Sequence, residues 1–258
     1  MKGNGRVRRK RPTIALFLLL VVLVLGMISL ANRWKGELRA ERLQVRGVRI
    51  LPEKEIVALA NVSVGTPLYD VDLLQVRGRL LVNPYVREAV VTHDLPSTIR
   101  VVVKERSPVA FLGGSELYYL SEEGYVLPPV NSKEVFDLPV ITGLTQQKPV
   151  KAGMKIASEN FKAAIEILSE AAVLDRELYH IISEINIGGA TPIVYTAEHG
   201  IPIFFDRENI RTQLVYLQTF WNTYVRQKGS DQLNSIDLRF ENQVVVRWNQ
   251  FSPQEKAL

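Results

Sequence analysis

The chain of 258 residues has no cysteine. Disulfides, thiolate metal sites and cysteine nucleophiles are excluded together, so any domain it builds is held by its apolar core. Histidine is almost as scarce. His93, His180 and His199 stand far apart, without the spacing of metal ligands, which argues against a zinc site and a histidine base. The motifs G-x-S-x-G and H-E-x-x-H and the P-loop are also missing. Gly113-Gly114 and Gly188-Gly189 lack the Lys-Ser/Thr of a phosphate loop and read as turns. Glu122 and Glu123 are sequence neighbours on a loop, where such side chains point apart into water. There is no repeat of fixed period and no low-complexity tract. The expectation is a protein that is not an enzyme and that has no metal, cofactor or small-molecule substrate.

What is present begins at the N-terminus. Lys2, Arg6, Arg8, Arg9, Lys10 and Arg11 form a basic tail with no acidic residue, followed by an 18-residue apolar run from Ile14 to Ala31. Thirteen of those residues are Leu, Ile, Val or Phe. At about −0.3 to −0.6 kcal/mol each they supply roughly −5 kcal/mol for insertion, enough to outweigh Gly26 and Ser29. The run reaches about 27 Å as a helix, close to the roughly 30 Å of bilayer hydrocarbon. Mixed charges follow it, so the positive excess lies on the N-terminal side and places that side in the cytoplasm. Everything from Asn32 onward is then extracytoplasmic, with Trp34 at the membrane interface. Ser29-Leu30-Ala31 also has the small residues of a cleavage site, but the run is longer than the usual signal-peptide core of about 7–15 residues. A retained single-pass anchor is expected.

The tail also accounts for the basic isoelectric point. Without its six cations, 26 basic residues remain against 27 acidic ones, a net charge of −1 on everything that follows. Nucleic-acid binding needs cations gathered on a folded face and is not expected; the tail suits anionic lipid instead.

Two textures follow the anchor. From Leu43 to Glu105 the pattern predicts strand, helix, helix, strand, strand. Leu43, Val45, Val48 and Ile50 form the first strand, interrupted by Gly47, and Pro52 opens a helix with Ile56, Leu59 and Ala60 inward. A second helix spans about Asp72 to Leu81 with Leu73, Leu74, Leu80 and Leu81 on one face, and Asn83-Pro84 stops it. Val86–Val91 and Thr98–Val103 make a hairpin around Leu95-Pro96-Ser97, with Ile99, Val101 and Val103 facing inward. From Ser107 the strands are short. Tyr118–Leu120 and Tyr125–Leu127 flank the loop 121–124, and a helix from Ser158 to Val173 carries Phe161, Ile165, Leu168 and Ala172. Ile193–Thr196 and Ile201–Phe205 flank His199-Gly200. Ile210, Leu214, Leu217, Trp221 and Tyr224 repeat at helical spacing up to Gly229. Ser235–Phe240 and Gln243–Trp248 form a last hairpin before a polar tail.

These residues resemble the FtsQ/DivIB family of bacterial cell-division proteins. The likeness runs through Val45-x-Gly47, Gly65-x-Pro67-Leu68-Tyr69-x-Val71-Asp72, Asn83-Pro84-Tyr85-Val86-x-x-Ala89-x-Val91 and Leu95-Pro96-Ser97-Thr98-Ile99. It continues through Val103-x-Glu105-Arg106-x-Pro108-Val109-Ala110, Gly124-x-Val126-Leu127, Leu138-Pro139 and Ile236-Asp237-Leu238-Arg239-Phe240. Ser121 departs from the usual acidic residue, and Lys148–Ile187 matches loosely. The resemblance implies an α+β architecture: cytoplasmic tail 1–13, transmembrane helix 14–31, linker 32–42, a POTRA-like βααββ domain 43–106, a mixed β-rich domain with a long C-terminal helix 107–249, and a polar tail 250–258.

It further implies a non-enzymatic scaffold at the division septum that links early and late division proteins and helps control septal peptidoglycan synthesis. FtsB-like and FtsL-like bitopic proteins, with other divisome components, are the implied partners. The residues it assigns to partner binding are Arg207, Arg239, Phe240, Asn242, Val244, Val245 and Val246. Gln243–Trp248 is the last strand in the pattern, with nothing after it expected to cover its outer edge, a geometry open to β-addition. Two other classes compete. A POTRA-bearing chaperone or secretion accessory protein of the envelope should continue into amphipathic barrel strands. A tethered cell-wall hydrolase lacks its metal or nucleophile set.

Overall fold

The computed structural model describes residues 12–114, 116–130, 136–144 and 149–249, with the side chains of 12–15 and 31–37 outside that description. The basic and polar tails, and the side chain of Trp34, therefore lie outside the described residues. The chain divides into two compact units. The first comprises Met1–Val48, Glu53–Leu80 and Glu88–Val103, and the second Arg49–Pro52, Leu81–Arg87 and Lys104–Leu258.

Helix α1 spans Pro12–Glu37, covering the apolar run and continuing six residues past Ala31. Its described side chains, 16–30, are almost all apolar and exposed, as with Leu16, Phe17, Leu20, Leu23 and Leu30. These 15 residues rise about 22 Å. Among the described residues no helix is long and apolar enough to cross a membrane. The expected span, Ile14–Ala31, reaches beyond the described side chains at both ends.

The first unit then follows the predicted order. Strand β1 (Arg42–Arg46) is followed by α2 (Glu53–Ala60), a 3-10 turn (Leu68–Asp70), α3 (Leu73–Leu80), β2 (Val86–Asp94) and β3 (Thr98–Glu105). The sheet order is β1-β3-β2, with β1 parallel to β3. Glu53 and Glu55 sit in the first turn of α2, where the helix dipole favours anions. Asp72 caps α3 by accepting from the N–H groups of Leu74 and Gln75, each at 3.0 Å. Ile99, Val101 and Val103 are buried as predicted.

Two expectations need correction here. The first strand ends at Arg46, because Gly47 has φ +85° and a Cβ there would lie 2.0 Å from the Val103 carbonyl oxygen. The chain turns at the one residue able to do so. The inward face of α3 is Val76 and Leu80 with Leu73 half-buried, while Leu74 is 77% exposed and Leu81 lies beyond the helix. Positions 73, 76 and 80 share one stripe at 3.6 residues per turn; position 74 is rotated about 100° from it.

The second unit is built on a nine-stranded sheet. Its strands are β4 (Pro108–Leu112), β5 (Tyr118–Ser121), β6 (Val126–Leu127), β7 (Val140–Thr142), β8 (Ile182–Asn186), β9 (Ile193–Thr196), β10 (Pro202–Phe204), β11 (Leu233–Asp237) and β12 (Val245–Trp248). The order is β12-β11-β10-β9-β8-β7-β4-β5-β6. β7 is parallel to both β4 and β8, and β10 to β11; the other pairs are antiparallel.

Helix α4 (Glu159–Leu174) is capped by the Ser158 hydroxyl, which accepts from Phe161 N at 3.1 Å. Helix α6 (Ile210–Phe220) continues through a π-helical turn, Trp221–Val225, and a last turn, Arg226–Lys228, to Gly229. The two helices pack on each other. They share one core with the strands: Phe161, Ala164, Ile167 and Leu168 meet Ile210, Leu214 and Leu217 over Ala110, Ile141, Ile185, Val194 and Ile203. In α4 the buried stripe includes Ile167 and Ala171 and leaves the expected Ala172 exposed.

The short helix α5 (Arg176–His180) and β8 lie in the loosely matched stretch and were not expected. β11 and β12 are shorter than predicted: β11 begins and ends earlier, and β12 starts at Val245, leaving Gln243 and Val244 in its approach.

Candidate docking edge

Among the described residues β12 ends the sheet and pairs only with β11. The register is Leu233↔Trp248, Ser235↔Arg247, Ile236↔Val246 and Asp237↔Val245, with a bulge on the β11 side between Leu233 and Ser235. Asn249 N donates to Gln232 O at 2.8 Å. That bond brackets Leu233 and Trp248 as a non-hydrogen-bonded pair. Alternation along β12 therefore aims the main-chain groups of Arg247 and Val245 at β11 and those of Val246 and Trp248 outward. Leu238 N donates to Phe204 O at 3.0 Å, turning Leu238 toward β10 and its neighbour Asp237 toward β12, in agreement.

The side chains alternate the other way. Val244 and Val246 pack against the core, while Val245 is 37% and Trp248 40% exposed. Trp248 closes on Tyr224 with ring centroids 4.9 Å apart, and Tyr224 stacks on Phe220 at 5.5 Å and 8°. The π-helical turn thus holds an aromatic stack beside the open edge. Sequence reading assigned Tyr224 to the helix core and gave Trp248 no role. Its signal was a tryptophan ending an edge strand, a residue that seeks a half-buried site.

Arg239, Phe240 and Asn242 meet in the turn before β12. Asn242 takes φ +58° and accepts from the Tyr216 hydroxyl at 3.0 Å. Phe240 is 49% exposed. Arg239 grips Asp237 through Nε to Oδ1 at 2.8 Å and Nη2 to Oδ2 at 2.6 Å, and lies over the Phe204 ring at 5.0 Å. The hydrogen bonds from Arg239 hold the Asp237 carboxyl below its ordinary range against the opposing effect of burial. The same side-chain hydrogen bond raises Arg239. The turn and the start of α6 enclose a cavity of about 380 Å³ lined by Glu208, Thr212, Tyr216, Arg239, Phe240 and Asn242, among others.

Arg207 is not among the cavity's lining residues. Its Nε donates to Asn160 Oδ1 at 2.8 Å, its Nη2 to the Ala190 carbonyl and its own N–H to Asp206. Asn160 in turn donates to Ile187 O and Gly189 O. This arginine ties the start of α4 to the loop after β8. The structure therefore brings six of the seven predicted residues to one turn and strand and places the seventh in a separate network.

Residues 38–106 match the family model "POTRA domain, FtsQ-type", and residues 107–246 match "FtsQ/DivIB, C-terminal related". The chain is 32% identical over 232 residues to a protein of Rhodothermus marinus named cell division protein FtsQ, an alignment covering 87% of this chain and 83% of that one. It is 29% identical over 213 residues to the protein of that name in a Geobacter species, covering 81% and 76%. With that of Salinibacter ruber it shares 26% over 239 residues, covering 89% and 90%. By both matched models and the 32% identity over 87% of its length, the chain belongs to the FtsQ/DivIB family of cell-division proteins.

Proposed function

We infer that the chain is a non-enzymatic scaffold of the division machinery, held in the cytoplasmic membrane at the septum by one span over 14–31 with its N-terminus in the cytoplasm. Its order is tail 1–13, span, linker 32–42, POTRA-type domain 43–106, β-rich domain 107–249 and tail 250–258. The second domain docks extended segments of FtsB-like and FtsL-like bitopic proteins and so helps control septal peptidoglycan synthesis.

The observation that carries this reading is the outer side of β12, which no strand covers among the described residues and where Val246 and Trp248 offer main-chain groups in strand register. An added strand would pair there, with the Tyr224–Trp248 stack on one flank and Phe240 on the other. Arg239 contributes by holding the turn through Asp237.

A proline scan on the full chain tests it. Proline is tolerated at an edge when its missing N–H faces solvent. Val246→Pro should keep the chain folded, with a loss of about 1 kcal/mol from its packing against the core, and abolish co-purification of the FtsB-like and FtsL-like proteins. Val245→Pro removes a donor to β11 and should lower stability by about 1 kcal/mol or more. Phe240→Ala should weaken capture. Full capture by a folded Val246→Pro protein would rule out β12 as the docking edge.

A further inference from the structure

Two stretches that carry the family likeness, Leu68-Tyr69 and Leu95-Pro96-Ser97, lie outside the docking edge. Strand pairing puts both at one end of the first unit. α1 runs directly into Leu38, and Leu38–Ala40 is bonded antiparallel to Gly65–Leu68. Leu68 N donates to Leu38 O, Ala40 N to Thr66 O and Gly65 N to Ala40 O, each at 2.8 Å, and Arg39 bridges Pro67. The chain from Gly65 to Asp70 therefore runs back toward α1, and its 3-10 turn contacts that helix.

β1 leads away from this end, and β3 runs parallel to it from the pair Arg42↔Thr98. The β2–β3 turn must therefore return to the α1 end, where Glu41 N and Arg42 N both donate to Ser97 O at 2.8 and 3.2 Å. Tyr69 and His93 meet edge-on at 5.2 Å and join the two turns.

What this end offers to its surroundings is an apolar and aromatic tip, with the exposed carboxylates of Glu41 and Asp70 beside it. Leu95 is 60% exposed and Tyr69 43%, with Pro96 exposed beside them. Arg39 and Arg42, both exposed, stand at the same end. We propose that this end of the unit rests in the interfacial layer of the phospholipid bilayer that α1 enters. The proposal depends on α1 spanning the membrane.

The lengths agree. From Ala31 to Leu38 the helix rises about 10 Å. The polar layer on each side of the hydrocarbon is about 5–8 Å deep. Leu38 then emerges a few ångströms beyond that layer, a gap short enough for the side chains of turns beside α1 to reach back across. A tyrosine and a leucine-proline tip suit this depth, and the arginines suit lipid phosphates. The contact holds the first unit against the membrane beside the strand where α1 ends.

The absence of cysteine makes the test direct, because single-cysteine variants of the full chain take one fluorophore each. Leu95→Cys, Tyr69→Cys, Arg46→Cys and Leu20→Cys are labelled and reconstituted in vesicles of phosphatidylcholine and phosphatidylglycerol, some containing lipid with a nitroxide quencher near the headgroup and some with it deep in the acyl chains. Arg46 lies four strand residues beyond Arg42, about 13 Å further from α1. Labels at Leu95 and Tyr69 should be quenched severalfold more than one at Arg46 by the headgroup quencher, and a label at Leu20 by the deep quencher. Equal quenching at Leu95, Tyr69 and Arg46, with Leu20 quenched, overturns the surface contact alone. An unquenched Leu20 overturns the membrane span and the contact with it.

Discussion

The two ends of the nine-stranded sheet are treated in opposite ways. At one end β6 is only two residues long and its outer side is occupied: Val126 N donates to Met154 O, Gly153 N to Val126 O and Ile156 N to Gly124 O, each at 2.8 Å. Tyr125 also bridges Lys155. At the other end β12 presents Val246 and Trp248 with no strand beyond it among the described residues. Sheet edges invite unwanted pairing, and folded chains usually blunt them. Covering one edge with the chain's own 153–156 segment and leaving the other uncovered fits a sheet with one edge reserved for a partner.

Placing the same charge at both ends should separate them most. Leu127 is fully buried in β6, and Leu127→Asp would bury a carboxylate without a partner. A loss of about 3–5 kcal/mol is expected in urea unfolding of the full chain. Val245, in β12, is 37% exposed, and Val245→Asp should stay within about 0.5 kcal/mol of the parent. Similar losses at both positions would show that β12 is buried after all and remove the contrast.

A subtler break of the covered edge uses backbone shape. Gly124 has φ +85°, and a Cβ there would lie 2.3 Å from Ile156 O and 3.0 Å from the Phe161 ring. Gly124→Ala should cost about 1–3 kcal/mol through backbone strain, and the close approach adds to it. Because the 153–156 strap is bonded to this turn, hydrogen exchange should quicken at Val126, Gly153 and Ile156 in the variant and remain unchanged at Arg247 on the far edge. Exchange that quickens equally at both ends would mean that the sheet opens as one piece and that its edges are not separately managed.

Much of this was legible in the sequence because it depends on local periodicity. Ile99, Val101 and Val103 alternate, Ser158 caps its helix, and Ile210, Leu214 and Leu217 repeat; each signal survives tertiary packing. Features set by distant pairing were not legible. β8 stands fifth in the sheet order, yet Ile182–Asn186 is short and carries Glu184, which fits between β7 and β9 by accepting a hydrogen bond from the Thr142 hydroxyl at 2.5 Å. Nothing local announces a polar residue in a central strand. The network of Arg207 was not legible for the same reason, since its partners, Asn160 and Ala190, are remote in sequence. At the candidate docking edge the sequence indicated the final strand but not its main-chain phase, which depends on the bulge and on a single bond from Asn249 to Gln232.

The smallest expected effect concerns how the open edge is held. Asp237 pairs with Val245 across the ladder and receives Arg239 on its carboxylate. The pair lowers the carboxyl's pKa in the folded chain below its ordinary value of 3.8. A depressed carboxyl adds stability that is fully present above its unfolded pKa and is lost as pH falls through the lower, folded value. Acidification from about pH 5 to below pH 3 should therefore loosen the turn through Arg239, Phe240 and Asn242. Asp237→Asn keeps the shape and removes the charge, so it should be less stable than the parent at pH 7 by no more than about 1 kcal/mol, since Arg239 is 43% exposed and partly screened. The two proteins should converge as the pH drops. Unfolding midpoints measured across that range would show the difference closing. A gap that stays constant with pH would mean that the carboxylate's charge does not hold the turn and that the open edge owes its shape to Asn242 and Tyr216 instead.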